Sequence, residues 1–506
     1  MVYSEAQQIA NSASLGFLIV GALEVSLLYL LTRSIYLLYF HPYAKYPGPK
    51  IAALSDVWWA YHWLIGRYPW AIENAFKKYG DVVRIAPDEV AVFPYNAHQD
   101  MLLSGRKGTP TFIKTDIHPT FTPGERGVFA EINIDEHRKT KQALARAFSI
   151  NAHKEQDSAL HKIIDEFILK VEAHSHDTDD MDITMWFSLL AADLIGEMSV
   201  GHSFGNVKDG RPNHFIEKFF LTAPLTNLYT VIRRFPLIAP LVHLALPRKT
   251  VLQLHDILEE LKVILKGRMA REKLEHEDYM STLIRQDKPM YSEDYIFSQF
   301  TAIIIPLEAV ASLMQSTVTC LGMYPDKLEK LQQEIRTSFA SYDEIEPDAL
   351  RDLPWLSAAV NESLRFHTIA TFPQPRESPG GTLGDYYIPK GYRVQSSSFS
   401  LFRSERYFAK PREYHPERWL PATHPNYDHT FDNDDRAVFQ PFSMGTRKCL
   451  GFVTADRQAR TVLAKLVWKF DWVLTNSDEF DWERDLKVYQ VTVRPKVKVR
   501  FTPTAH

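Results

Sequence analysis

The stretch Phe442-Ser443-Met444-Gly445-Thr446-Arg447-Lys448-Cys449-Leu450-Gly451 holds a single thiol between two glycines. Glycine lets a backbone turn tightly and come close to a flat ligand. Arg447 and Lys448 beside the sulfur favour the thiolate, the form that binds metal. The other cysteine, Cys320, sits among Val318, Leu321 and Met323, the setting of a structural thiol.

With 506 residues, 45% of them hydrophobic, the chain can bury a large core. No low-complexity linker or internal repeat divides it, so residues 51–506 read as one large catalytic domain. A formal charge of −4 without a long basic run argues against a nucleic-acid partner. Two cysteines, one of them poised for a metal, leave no disulfide framework and point to a reducing compartment.

Ahead of that domain, residues 13–31 are apolar or small apart from Glu24, long enough to cross most of a bilayer as a helix. Residues 1–12 would precede the span, and 32–50 would form a Pro-rich hinge ending in Tyr46-Pro47-Gly48-Pro49. Tyr29, Tyr36 and Tyr39 suit the interface. Arg33, Lys45 and Lys50 on one side predict a single-pass anchor with the following chain in the cytosol. Met1–Asn11 carries Glu5 and no basic residue, unlike a cleaved signal peptide.

The body reads as mainly helical with smaller sheets. Val82–Phe93 resembles a hairpin turning at Pro87-Asp88-Glu89, and Glu131 to about Ser149 a helix with a cationic face. Ser292 is an apt N-cap for a long helix running to Tyr324, with Glu293 and Asp294 in its first turn. Pro325 opens another, in which Leu328, Leu331 and Ile335 share a face. A further helix begins near Pro354, and Val491–Phe501 alternates like a half-exposed strand.

The string F-x-x-G-x-R-x-C-x-G resembles the haem-binding loop of the cytochrome P-450 family, in which a Cys thiolate holds haem iron. Two further motifs support the resemblance in order and spacing: Glu362-x-x-Arg365, and Arg418 in Pro416-Glu417-Arg418. It implies a mainly α fold of that family and a buried structural triad of Glu362, Arg365 and Arg418. It implies haem b with Cys449 as axial ligand, and Phe442, Gly445 and Gly451 shaping the loop. Arg447, Arg376 and the pair His137 and Lys141 match positions that meet haem propionates. Lysine at 141, where the family often has arginine, keeps the charge without the bidentate fork.

One motif departs from the family pattern. Counting back from Pro325, the usual A/G-G-x-D/E-T-T falls on Ile305-Pro306-Leu307-Glu308-Ala309-Val310. The acid is kept as Glu308; the glycine is Pro306, and the hydroxyl residue is Ala309. Three readings stay open. Glu308 delivers protons in ordinary monooxygenation; or the haem serves rearrangement or dehydration; or Glu308 only caps local polar groups. A non-catalytic haem sensor or electron carrier is a remoter alternative.

The resemblance is to fungal microsomal members of secondary metabolism. It implies a substrate of terpenoid or polyketide class and electrons from an NADPH–cytochrome P-450 reductase. It further implies an endoplasmic-reticulum membrane location and action as a monomer. Phe121, Phe129, Ile304, Thr371, Phe372 and Tyr489 match substrate-contact regions.

Overall fold

The computed structural model describes residues 2–105, 108–118, 120, 122, 124–176, 180–284, 291–369 and 374–504. Helix α1 (Val2–Ile35) continues into a π-helical turn, Tyr36–Phe40. Its apolar run, Phe17–Phe40, stands largely clear of the protein; Leu37 near its end is the buried exception among the described side chains. The run thus extends beyond Leu31, where the sequence reading ended it, because Tyr36–Phe40 keep a helical path. Residues 183–200 and 293–323 are also long and apolar enough to span a bilayer, but they are mostly buried and belong to the core.

The hinge differs from its reading as a spacer, because it packs on the body. Tyr43 is fully buried. Arg33 Nη1 donates to the Leu54 carbonyl at 3.1 Å, and Arg84 Nη1 to the Leu37 carbonyl at 2.6 Å. Gly48 lies so close to the Arg84 carbonyl that a Cβ would meet its oxygen at 2.3 Å.

The helices that position the site follow in chain order. α2 (Ile134–Ala145) starts later than residue 131 because Asn133 caps it, accepting from the backbone N–H groups of Asp135 and Glu136. α3 (Ile150–His174) and α4 (Ile183–Val200) lead to α5 (Glu293–Ile304), whose cap Ser292 accepts from the Tyr295 N–H. The long helix expected from Ser292 to Tyr324 is broken in two. Pro306 lacks a backbone donor and, at φ −63° and ψ 0°, does not carry the regular ladder through, so α6 (Leu307–Met323) begins afresh after it. α7 (Pro325–Ser338), α8 (Pro354–Phe366) and α9 (Phe452–Lys469) complete the bundle. α6 packs against α4, α8 and α9 and runs through the main hydrophobic core.

A five-stranded sheet flanks the bundle: β1 (Val82–Ala86), β2 (Glu89–Val92), β3 (Ile113–Lys114), β4 (Arg376–Glu377) and β5 (Arg393–Ser396), ordered β1-β2-β5-β4-β3. β2 and β5 pair in parallel; β3 and β4 pair antiparallel with Lys114 opposite Arg376. Near the C-terminus β6 (Phe470–Leu474) pairs with β7 (Lys498–Pro503). The single strand expected over Val491–Phe501 is interrupted. Thr492–Val493 pairs with Lys487–Val488 instead, and Pro495, which has no N–H for a ladder, lies between the two pieces.

Candidate functional site

The cysteine loop enters α9 directly, with Gly451 as the residue before its first turn. The Cys449 N–H donates to the Phe442 carbonyl at 2.9 Å and closes the loop on itself. Gly445 has φ +73°, and a Cβ there would meet the Leu102 carbonyl oxygen at 2.5 Å, so only glycine fits. Gly451 is different. Its φ is −87°, and a Cβ would find its first neighbour at 3.9 Å, so the turn itself does not demand glycine there. The Cys449 side chain is exposed, yet protein crowds the sulfur enough that burial pushes the thiol up. The Gly451 N–H, Lys141 and Lys448 pull the other way. Lys141 Nζ donates to the carbonyls of Thr446 (2.8 Å) and Lys448 (2.7 Å), so it braces the loop backbone.

On the sheet side lies a cluster of buried basic groups. Lys114 and Arg376 face each other across β3 and β4, both about 5% exposed or less. Arg376 Nη1 has no hydrogen-bond partner. Burial, then Arg447, pulls the Arg376 guanidinium down to about 10. Lys114 is driven well below its ordinary value by burial, then by Arg376 and Arg447. His137 falls to about 3 through burial and the surrounding cations, so its imidazole is neutral near pH 7. Arg447 Nη1 donates to the Glu131 carbonyl at 2.6 Å, and Lys114 Nζ to that of Phe129. Among the described residues, none of Lys114, Arg376 and Arg447 forms an ion pair with a carboxylate. Buried like charges with an unmatched donor are costly on their own. They suit a ligand that carries carboxylates.

A porphyrin with two propionates fits this donor set, since its carboxylates can meet the cluster while the thiol serves its metal. Among the described residues no three His, Cys, Asp or Glu side chains gather as a metal site. A lone thiolate is a fitting protein ligand for iron already held by a macrocycle.

Glu362, Arg365 and Arg418 come together in a fully buried network. Arg365 grips Glu362 with a fork: Nε to Oε2 at 2.9 Å and Nη2 to Oε1 at 2.7 Å. Arg418 Nε donates to Oε1 at 3.2 Å. The Trp419 indole and the His415 N–H, each at 2.9 Å, complete the shell. Burial works to raise the Glu362 carboxyl, but Arg365 and Arg418 outweigh it and hold it below its ordinary value. Arg418 Nη1 also pairs with Asp434, which ties the network to the segment preceding the cysteine loop.

Glu308 is buried in the first turn of α6. Ser312 Oγ donates to its Oε1, and Arg494 Nε lies 3.9 Å away. Burial pushes the carboxyl up; Arg494 leads the opposing effects, followed by Ser312 and Thr492.

The pocket candidates do not converge as expected. Ile304 is fully buried in the main core, on the inward face of α5. Ile305, released by the helix break, packs instead with Tyr489, Val491 and Phe219. Phe129 is 41% exposed and lies against His118 with ring centroids 4.6 Å apart. Phe121, Thr371 and Phe372 lie outside the described residues. Sequence reasoning missed Lys114, Ser312, Asp434 and Arg494, none of which belongs to a recognisable string.

The cytochrome P450 family model matches residues 54–499. The chain is 36% identical over 483 residues to the cytochrome P450 monooxygenase TwmD of Talaromyces wortmannii, covering 94% of each protein. It is 34% identical to the cytochrome P450 monooxygenase poxC of Penicillium oxalicum, over 94% of this chain and 93% of that one. It is 31% identical to the cytochrome P450 monooxygenase BOA3 of Botryotinia fuckeliana, over 96% of each. The chain belongs to the cytochrome P450 family and is a haem-dependent oxidoreductase of the monooxygenase kind.

Proposed function

We propose that this cytochrome P450 oxygenates an apolar secondary metabolite of terpenoid or polyketide class, with electrons from NADPH delivered by a cytochrome P-450 reductase. The observation that carries the reading is the pairing of one loop thiol with a buried cationic cluster whose Lys114, Arg376 and Arg447 form no ion pair with a carboxylate among the described residues. Haem b, when bound, supplies the oxygen-activating chemistry, with Cys449 as the thiolate ligand that favours O–O cleavage. Arg376, Arg447, Lys114 and the neutral His137 would hold its carboxylates. Lys141 braces the loop, with Gly445 allowing its turn and Phe442 accepting the Cys449 N–H. The Glu362 network fixes the segment before it. Glu308 carries protons from the polar seam it occupies, with the Ser312 hydroxyl as its partner, because Ala309 offers none. Tyr489, Ile305 and Phe219 form part of an apolar substrate wall. Phe17–Phe40 spans the endoplasmic-reticulum membrane once, and the basic residues beyond it hold the monomeric catalytic domain, from about residue 51, in the cytosol.

Net monooxygenation consumes one O2, two electrons and two protons, placing one oxygen atom in the product and one in water. The test supplies the membrane-bound enzyme with reductase, NADPH and 18O2, using metabolite extracts from cells with and without the protein. One 18O atom per product molecule is expected. Product formed without oxygen or NADPH would assign the haem to rearrangement instead.

A further inference from the structure

Arg494 is nine-tenths buried between Thr492–Val493 and β7, where nothing in its sequence surroundings marks it. Its Nη1 donates to Gln315 Oε1 and its Nη2 to Ser188 Oγ, both at 2.7 Å, while Nε faces Glu308 Oε1 at 3.9 Å. Gln315 is anchored in turn, donating through Nε2 to Thr184 Oγ1 (2.9 Å) and to the Pro495 carbonyl (3.0 Å). The guanidinium is therefore held through both Nη groups, by α6 at Gln315 and by α4 at Ser188. A planar guanidinium can use two nitrogens for Gln315 and Ser188 and still present a third to Glu308, which a lysine ammonium on a flexible stem does not reproduce.

Glu308 sits at the helix start that Pro306 creates, where the α6 dipole favours negative charge. Successive residues of a helix are about 100° apart, so a carboxylate aimed into the α4–α6 seam is turned off the face that carries Ala309. The groups facing Glu308 are Ser312 from its own helix and Thr492 and Arg494 from the C-terminal segment. Asp182 acts on Arg494 through space and is itself paired with Lys496 at 3.5 Å. Arg494 is the charge that most opposes the burial of Glu308.

We propose that Arg494 is the positioning residue of Glu308: its guanidinium, pinned by Gln315 and Ser188, stands 3.9 Å from the acid, keeps it aimed into the seam and favours its charged form. This rests on the reading of Glu308 as a proton carrier.

The test is an infrared pH titration of the ferric holoenzyme, following the protonated-carboxyl band that Glu308→Gln removes. In Arg494→Gln the band should appear at a pH higher than in the wild type by about 1–3 units, the usual effect of losing an adjacent opposite charge. Arg494→Lys keeps a charge but cannot hold Gln315 and Ser188 as well. It shifts the band in the same direction by less, which leaves the series readable if Arg494→Gln does not fold. Peroxide released per NADPH consumed is the second readout, expected to rise in the same order. An unmoved band in both variants overturns the inference. A moved band with unchanged peroxide release upholds it and removes Glu308 from proton delivery instead.

Discussion

Two buried clusters of basic side chains lie in this molecule, and they are opposites. Around Glu362, two guanidiniums share one carboxylate, and an indole and a backbone N–H fill the remaining acceptor sites. Around Arg376 the cations face one another, one guanidinium nitrogen has no partner, and Lys114 and His137 are pushed far from their ordinary values. The first cluster is complete within the protein, so its work is structural. The second is left with unmatched charge and an unmatched donor, which suits the carboxylates of the proposed haem. Composition alone does not separate them; partner counting does.

The sharpest way to break this comparison is to neutralise one member of each. Glu362→Gln should cost about 3–5 kcal/mol, because it leaves two guanidiniums buried against an uncharged amide. Thermal melts of the holoenzyme should show this as a large fall in stability. The loss should depend on pH in a stated direction. The folded protein holds the Glu362 carboxyl below its ordinary value of 4.5, so its contribution is fully present above that value and fades as pH falls through the folded pKa. The gap between wild type and Glu362→Gln should therefore be widest near neutrality and close in acid.

Arg376→Gln should behave differently. It relieves like-charge repulsion within the fold while removing a charge-assisted contact to the cofactor, worth about 1.5–3 kcal/mol. Haem transfer to an acceptor such as apomyoglobin should speed by about 10- to 100-fold, with a far smaller change in melting than Glu362→Gln gives. Equal losses of stability in the two variants would erase the distinction.

The smallest effects sharpen the loop between the clusters. Gly445→Ala meets a positive φ and the Leu102 carbonyl, and should cost at least ~1–2 kcal/mol in stability. Gly451→Ala should leave stability within about 0.5 kcal/mol of wild type, as for a substitution away from strained features. Urea melts of the two variants check the difference.

The parts of this molecule that were legible in the sequence are those written in contiguous strings. The cysteine loop, the Glu362–Arg365 pair on one helical face, the cap at Ser292, the helix start at Pro325 and the hairpin at Pro87 each depend on neighbours within a few residues. Lys114 was not legible, because its meaning comes from a strand pairing that sets it opposite a residue 262 positions away. Arg494 reaches Ser188 across 306 positions, for the same reason. Pro306 was read correctly as a disturbance, but its size depended on packing: a kink was expected, and α5 ends instead. Ile304 and Ile305 show how narrow the margin is, since a break of two residues decides which of them faces the core.

The most direct test of the account is the carbon monoxide difference spectrum of the reduced full-length protein, taken beside Cys449→Ser. The wild type should show the strongly red-shifted Soret band of thiolate-ligated haem, and the variant should lose it. A wild type without that band, or a serine variant that keeps it, would contradict the assignment of Cys449 and the cationic cluster to one haem site.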